Sequence, residues 1–194
     1  MLETFFADAL PSCCCGAAAP PPPAAPPIAG RFDLVDHFGQ PVNEDSFRSR
    51  CMLVLFGFSH CAVVCPRELS KLGSALDLLG PLADRIQPLY ITVDPARDSP
   101  QVLRQYLSRY AGGAGAFIGL TGSAGQLEAA RRSFRVFARQ VTDPCAPGGY
   151  VVPHTAHAYL MAGGGQYLTH FPESLDAATI ATRLREHMEQ RQDA

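Results

Sequence analysis

The chain has 194 residues, of which 47% are hydrophobic and 18% charged, and its formal net charge is −2. That is enough for one domain with its own core plus a tail, and it excludes a polybasic, nucleic-acid-binding surface. No apolar run reaches the roughly 18–20 residues that span a bilayer; the longest, Cys51 to Phe58, suits a buried strand.

The chain opens without a basic leader region. It carries Glu3 and Asp8 within its first apolar stretch, so it does not read as a signal peptide. Leu10-Pro-Ser-Cys13 loosely resembles a lipoprotein cleavage box. Residues 12–30 are rich in Cys, Ala and Pro. Pro20 to Pro23, with Pro26 and Pro27, favour an extended polyproline conformation and cannot pack a core. Residues 1–30 are therefore expected to be a disordered tether, and residues 31–194 the folded domain.

Within the domain, strand and helix signals alternate. Phe32 to Val35 reads as a short strand, followed by a turn at Phe38-Gly-Gln-Pro41. Met52 to Phe58 is continuously apolar, as expected of a strand covered on both faces. Pro66 suits the first turn of a helix, where its missing N–H costs nothing. That helix runs through Leu69, Leu72, Leu76 and Leu79, at spacings of three and four, to Gly80-Pro81. Pro88 to Val93 is the next strand. Asp98-Ser99-Pro100 then caps a helix carrying Val102, Leu103, Tyr106 and Leu107. Phe117 to Leu120 reads as a strand, and Ser123 caps a helix through Leu127, Ala130, Phe134 and Phe137. Thr155 to Met161 and Gln166 to Phe171, joined by three glycines, read as a hairpin, and Ser174 to Met188 as a closing helix. This order predicts an α/β thioredoxin-like fold, a central mixed sheet flanked by helices, with insertions.

Of seven cysteines, Cys13, Cys14 and Cys15 lie in the tail, Cys51 in a buried strand and Cys145 in a Pro/Gly loop. Only Cys61 and Cys65 have a spacing with chemical meaning. A central strand delivers them to the start of a helix. Residues four apart share one face of the first turn, and the helix N-terminus favours thiolate. Thiolates are soft ligands that select Cu(I) or Zn, and two of them with an imidazole can also hold Cu(II).

Three segments, Gly57-Phe-Ser-His-Cys-Ala-Val-Val-Cys-Pro66, Ile91-Thr-Val-Asp-Pro-Ala-Arg-Asp-Ser-Pro100 and Val152-Pro-His-Thr-Ala-His-Ala-Tyr-Leu160, occur in an order and spacing that resemble the Sco/SenC family. The resemblance covers Arg31 to the C-terminus. It implies a copper chaperone for cytochrome oxidase, with Cys61, Cys65 and His154 binding copper as Cu(I) or Cu(II). It also implies a periplasmic or outer-face location and, as partner, the oxidase subunit carrying the CuA site. Other copper chaperones or thioredoxin-like reductases are further candidate partners. The family usually has Asp before the histidine, where this chain has Pro153. That departure removes a carboxylate that could tune the site and is similar to the cis-proline facing the active cysteines of thioredoxins.

His60, beside Cys61, is a candidate outer ligand but reads better as a solvated loop residue. His157 is expected to point away from His154, as residues three apart do on a strand. Asp94 and Asp98 are candidates either for the site or for turn formation around Pro95 and Pro100. A metallochaperone is the leading reading rather than an enzyme. The alternatives are a thiol–disulfide oxidoreductase, in which Cys61 and Cys65 are the redox pair, and a redox or copper sensor. Three residues separate the cysteines where redox thioredoxins usually have two, and His154 has no task in plain disulfide exchange.

Overall fold

The computed structural model describes residues 27–110 and 116–190. In chain order the strands are β1 (Asp33–Asp36), β2 (Pro41–Asn43), β3 (Cys51–Gly57), β4 (Ile86–Thr92), β5 (Ile118–Thr121), β6 (Val141–Thr142), β7 (Tyr150–Val151), β8 (Ala158–Met161) and β9 (Tyr167–Phe171). The helices are α1 (Val64–Leu79), α2 (Pro100–Leu107), α3 (Ala124–Phe134) and α4 (Ala177–Gln190). Seven strands form one sheet in the order β2-β1-β5-β4-β3-β8-β9. β3, β4 and β5 run parallel, and β1, β8 and β9 pair antiparallel around them. This is the mixed, helix-flanked sheet expected of the thioredoxin-like class.

All residues of β3 and β4 are buried, which follows from helices covering both faces. Alternation along the strands sorts their side chains into two cores. Leu53, Leu55 and Tyr90 pack with α1, α2 and α4 through Leu69, Leu72, Leu103 and Leu184. Val54, Phe56, Leu89 and Ile91 pack with α3 through Leu127 and Phe134. The rings of Phe56, Phe134 and Tyr159 meet edge to face, with centroids 5.3–6.3 Å apart.

Several boundaries differ from the sequence expectation, each for a local reason. α1 begins at Val64, so Cys65 and Pro66 lie in its first turn as expected, whereas Cys61 stands three residues ahead of the helix. α3 stops at Phe134 because Arg135 adopts a left-handed conformation (φ 59°) and its N–H closes back on the last turn. Phe137 therefore lies outside the helix and is 62% exposed. α4 starts at Ala177, later than Ser174. The short strand β2 and the β6–β7 hairpin carry no readable alternation at two or three residues each. The peptide bond before Pro153 is trans.

Packing reaches back before Arg31. Ile28 packs against the second core, and the Ala29 N–H donates to the Ser133 carbonyl at 3.0 Å. Gly30 is buried with φ 65°, and a Cβ there would stand 2.2 Å from the Gly165 carbonyl oxygen. The first 26 residues, including Cys13, Cys14 and Cys15, lie outside the described residues.

Candidate metal centre

β3 ends at Gly57 and the chain turns through Phe58, Ser59 and His60 to Cys61, three residues before α1. No side chain at the N-cap position, Val63, closes the first turn of α1. The sulfur of Cys61 takes that role. The Cys65 N–H donates to Cys61 Sγ at 3.4 Å, and the N–H groups of Val63 and Val64 also engage it. Helix N–H groups without intrahelical partners thus converge on one sulfur, where they favour negative charge.

The thiols are both reduced and unlike in environment. Cys61 is half-buried and faces a cleft, whereas Cys65 is 2% exposed. The Cys61 thiol is lowered to about 5, chiefly because the Cys65 thiol donates to it, with the backbone N–H groups adding against burial. Cys65 is pushed up, first by that same hydrogen bond and then by burial and the neighbouring charge; the Tyr90 phenol and the Phe58 backbone act in the opposite direction. The pair therefore shares one proton, held by Cys65, with the negative charge on the accessible sulfur.

A carboxylate fixes the loop that carries Cys61. Asp98, fully buried, accepts from the Ser59 N–H (3.1 Å), the Ser59 hydroxyl and the Thr92 hydroxyl (2.6 Å). Its backbone carbonyl accepts from Thr121 Oγ1 at 3.0 Å. Asp98 is thus a strut between the thiol loop and β4, and the cap of α2 is the next residue, Ser99. Asp94 pairs with Arg97 and accepts from the Tyr150 hydroxyl at 3.0 Å. The Arg97 guanidinium lies 3.8 Å over the Tyr150 ring and 5.4 Å over the Phe58 ring.

His154 arrives from the far end of the chain. Its segment is held by an isolated bridge to Ala138, by Thr155 N–H to the Phe137 carbonyl (3.0 Å) and by Arg139 N–H to the Pro153 carbonyl (3.1 Å). Its Nδ1 pairs with the Val152 carbonyl at 2.8 Å, which leaves Nε2 as the free donor atom. The ring meets Phe58 edge to face at 5.8 Å.

One cleft of about 460 Å³ joins the two halves of the site: Cys61, His60, Val63 and Val64 line one wall, and Val152, Pro153 and His154 the other. Among the described residues no three His, Cys, Asp or Glu side chains are gathered tightly enough to hold a metal ion. The donor types fit a soft cation: a thiolate, a thiol poised to become one, and an imidazole with a free nitrogen. Ligation by all three requires the His154 segment to close on the sulfur pair.

His60 stands on the rim of the cleft with Nδ1 3.0 Å from Ser59 Oγ. His157 is outside the cleft, its ring stacked on His170 at 5.2 Å. Cys145 is exposed in its loop, with its N–H donating to Asp143. Ser59 and the Arg97–Phe58–Tyr150 stack were not legible in the sequence, because each acts through a neighbour that only the fold supplies.

The SCO1/SenC family model matches residues 20–189. The chain is 35% identical to an SCO2-like protein of Rickettsia felis over 144 residues, 74% of this chain and 69% of that protein. It is 35% identical to the mitochondrial SCO1 protein of Saccharomyces cerevisiae over 164 residues, spanning 84% of this chain and 55% of the yeast protein. The copper-bound structure of Bradyrhizobium japonicum ScoI superimposes with a TM-score of 0.73 at 32% identity, covering 82% of this chain and 99% of that one. The chain belongs to the SCO1/SenC family.

Proposed function

We propose that this protein is a copper metallochaperone whose cargo is held by Cys61, Cys65 and His154 and delivered to the CuA site of a cytochrome oxidase subunit. The carrying observation is the Cys61 sulfur, charged near neutral pH by Cys65 and the start of α1, in a cleft whose opposite wall bears His154. A copper-bound relative and membership of a family of cytochrome c oxidase assembly proteins support the reading. Among the described residues no helix is long and apolar enough to cross a membrane. A periplasmic or outer-face location is part of the proposal, as is exchange with other copper chaperones or thioredoxin-like reductases.

On this reading Cys61 presents a ready thiolate to incoming copper. Cys65 gives up its proton to solvent as its sulfur becomes the second ligand, and His154 Nε2 completes the set while Nδ1 stays on the Val152 carbonyl, fixing the tautomer. The apolar rim, including Val63 at 65% exposure, offers a partner an apolar contact surface. Anaerobic copper titration of the wild type and His154→Ala tests this. Binding should weaken at least tenfold in the variant and vanish in Cys61→Ser. Unchanged affinity in His154→Ala removes His154 from the site.

The unequal thiols also support disulfide exchange. Cys61 thiolate would attack a substrate disulfide and release one substrate thiolate. Cys65, losing its proton, would then attack the mixed disulfide, form Cys61–Cys65 and release the second. His154→Ala should leave this reaction intact.

A further inference from the structure

Behind the sulfur pair, on the side away from the cleft, lies a phenol for which copper capture and disulfide exchange have so far needed no role. Tyr90, in the middle of β4 beside Leu55, is 0% exposed; its Oη makes no hydrogen bond of regular geometry, and the side chain it is set to bond is the Cys65 thiol. A fully buried hydroxyl without a regular bond is unfavourable, so such a group calls for a reason. The surroundings point to one. A Cβ placed on Gly57 would stand 2.4 Å from Tyr90 Oη and 2.8 Å from Cys65 Sγ. Oxygen and sulfur therefore crowd the same small space, which exists because residue 57 has no side chain. Tyr106 packs on the Tyr90 ring, with centroids 5.9 Å apart, and both rings sit in the core under α1 and α2. The phenol cannot swing out to water.

We propose that Tyr90 is a positioning residue, whose phenol O–H donates to the Cys65 sulfur whenever that sulfur is electron-rich: in the reduced dithiol, where Cys65 in turn donates to Cys61, and when Cys65 is a metal ligand. This rests on reading Cys61 and Cys65 as the functional pair. Tyr90 to Cys65 to Cys61 is then a chain of donors ending on the exposed charge, and such chains strengthen one another at low dielectric. A disulfide sulfur is a poor acceptor, so the chain stabilises the reduced form. Hydrogen bonding around a ligating cysteine also sets the redox behaviour of a copper–thiolate site.

The test is Tyr90→Phe, which keeps the ring and removes only the hydroxyl. Metal-free protein is equilibrated anaerobically at pH 7 with dithiothreitol. In this couple the Cys61–Cys65 disulfide takes two electrons and two protons from the reagent, which closes to its own cyclic disulfide. Tyr90→Phe should favour the protein disulfide three- to tenfold over wild type, a potential lower by about 15–30 mV. In the disulfide form, where the hydroxyl has no good acceptor, Tyr90→Phe should unfold at the same or a higher urea concentration than wild type, whereas a hydroxyl that merely held the core together would lower it. With one equivalent of Cu(II), the sulfur-to-copper absorption of the variant should move to lower energy at unchanged stoichiometry. A dithiol equilibrium within twofold of wild type overturns the proposal, whatever copper does. A shifted equilibrium in a protein that binds no copper leaves Tyr90 in its role and overturns the copper reading alone.

Discussion

Cys61 and Cys65 differ by their neighbours and not by their chemistry, and the difference is measurable. The Cys61 thiol is lowered from 9.0 to about 5, so its folded-state pKa lies below its unfolded one. Its contribution to stability is full above pH 9 and is lost as the pH falls through about 5. Cys65, pushed up, works against stability once the pH rises above 9, where the unfolded chain ionises and the folded one does not. Iodoacetamide labelling of the reduced protein, read separately at each cysteine by peptide mass, should accordingly show Cys61 reacting with a midpoint near pH 5 while Cys65 stays unlabelled. Cys65→Ala removes the donor and should move that midpoint up by at least one pH unit; an unmoved midpoint would show that the helix N–H groups suffice. The same few atoms make Gly57 irreplaceable. Gly57→Ala drives a methyl group into Tyr90 Oη and Cys65 Sγ. It should cost about 1–3 kcal/mol in urea denaturation, the usual penalty for overpacking. The cysteine spacing and the helix-start proline were readable because they are local. The glycine was not, since its neighbours come from β4 and α1.

At the level of elements, long periodic segments declared themselves and short ones did not. α1 and α2 were visible through leucines at helical spacing and the Ser99-Pro100 start, and β3 through its unbroken apolar run. β2, β6 and β7 are too short for a period, and they exist because a neighbouring strand offers them hydrogen bonds. The position of Cys61 ahead of α1 was equally hidden: it closes the first turn from outside the helix. Asp98 is the clearest case. Its place before a helix cap made turn formation a fair expectation, yet its carboxylate reaches Ser59, 39 residues away in sequence, and anchors the thiol loop. Asp98→Ala strands the buried Thr92 hydroxyl and the Ser59 N–H. It should cost about 3 kcal/mol and weaken copper binding with Cys61, Cys65 and His154 all in place. Ser59→Ala, which keeps the backbone bond, should lose about 1 kcal/mol. Equal stability of Asp98→Ala and wild type in urea would remove the strut from the account of the site.

Across the whole molecule, the site joins parts of the chain that the sheet keeps separate. Cys61 and Cys65 are held by the central strand β3 and the flanking helix α1, whereas His154 hangs from Ala138, Phe137 and Arg139 on the segment after α3. Three ligands on one ion would tie these parts together, although the sulfur pair and His154 are not gathered without it. Binding to the folded state alone raises stability by RT ln(1 + [L]/Kd), about 2.7 kcal/mol when free ligand is a hundred times Kd. Buffered Cu(I) should therefore raise the unfolding temperature of the reduced wild type by several degrees, as expected for a domain of this size. The rise should shrink strongly in His154→Ala, where the tie between the two segments is absent. Hydrogen exchange gives the spatial signature: on copper binding, protection should increase at the amides of Thr155 and Arg139, whose bonds hold the histidine segment, and stay unchanged in β4, which is already buried along its length. Thermal stabilisation with no added protection around residues 137–155 would mean that copper sits on the sulfur pair alone, and that His154 serves the partner rather than the cargo.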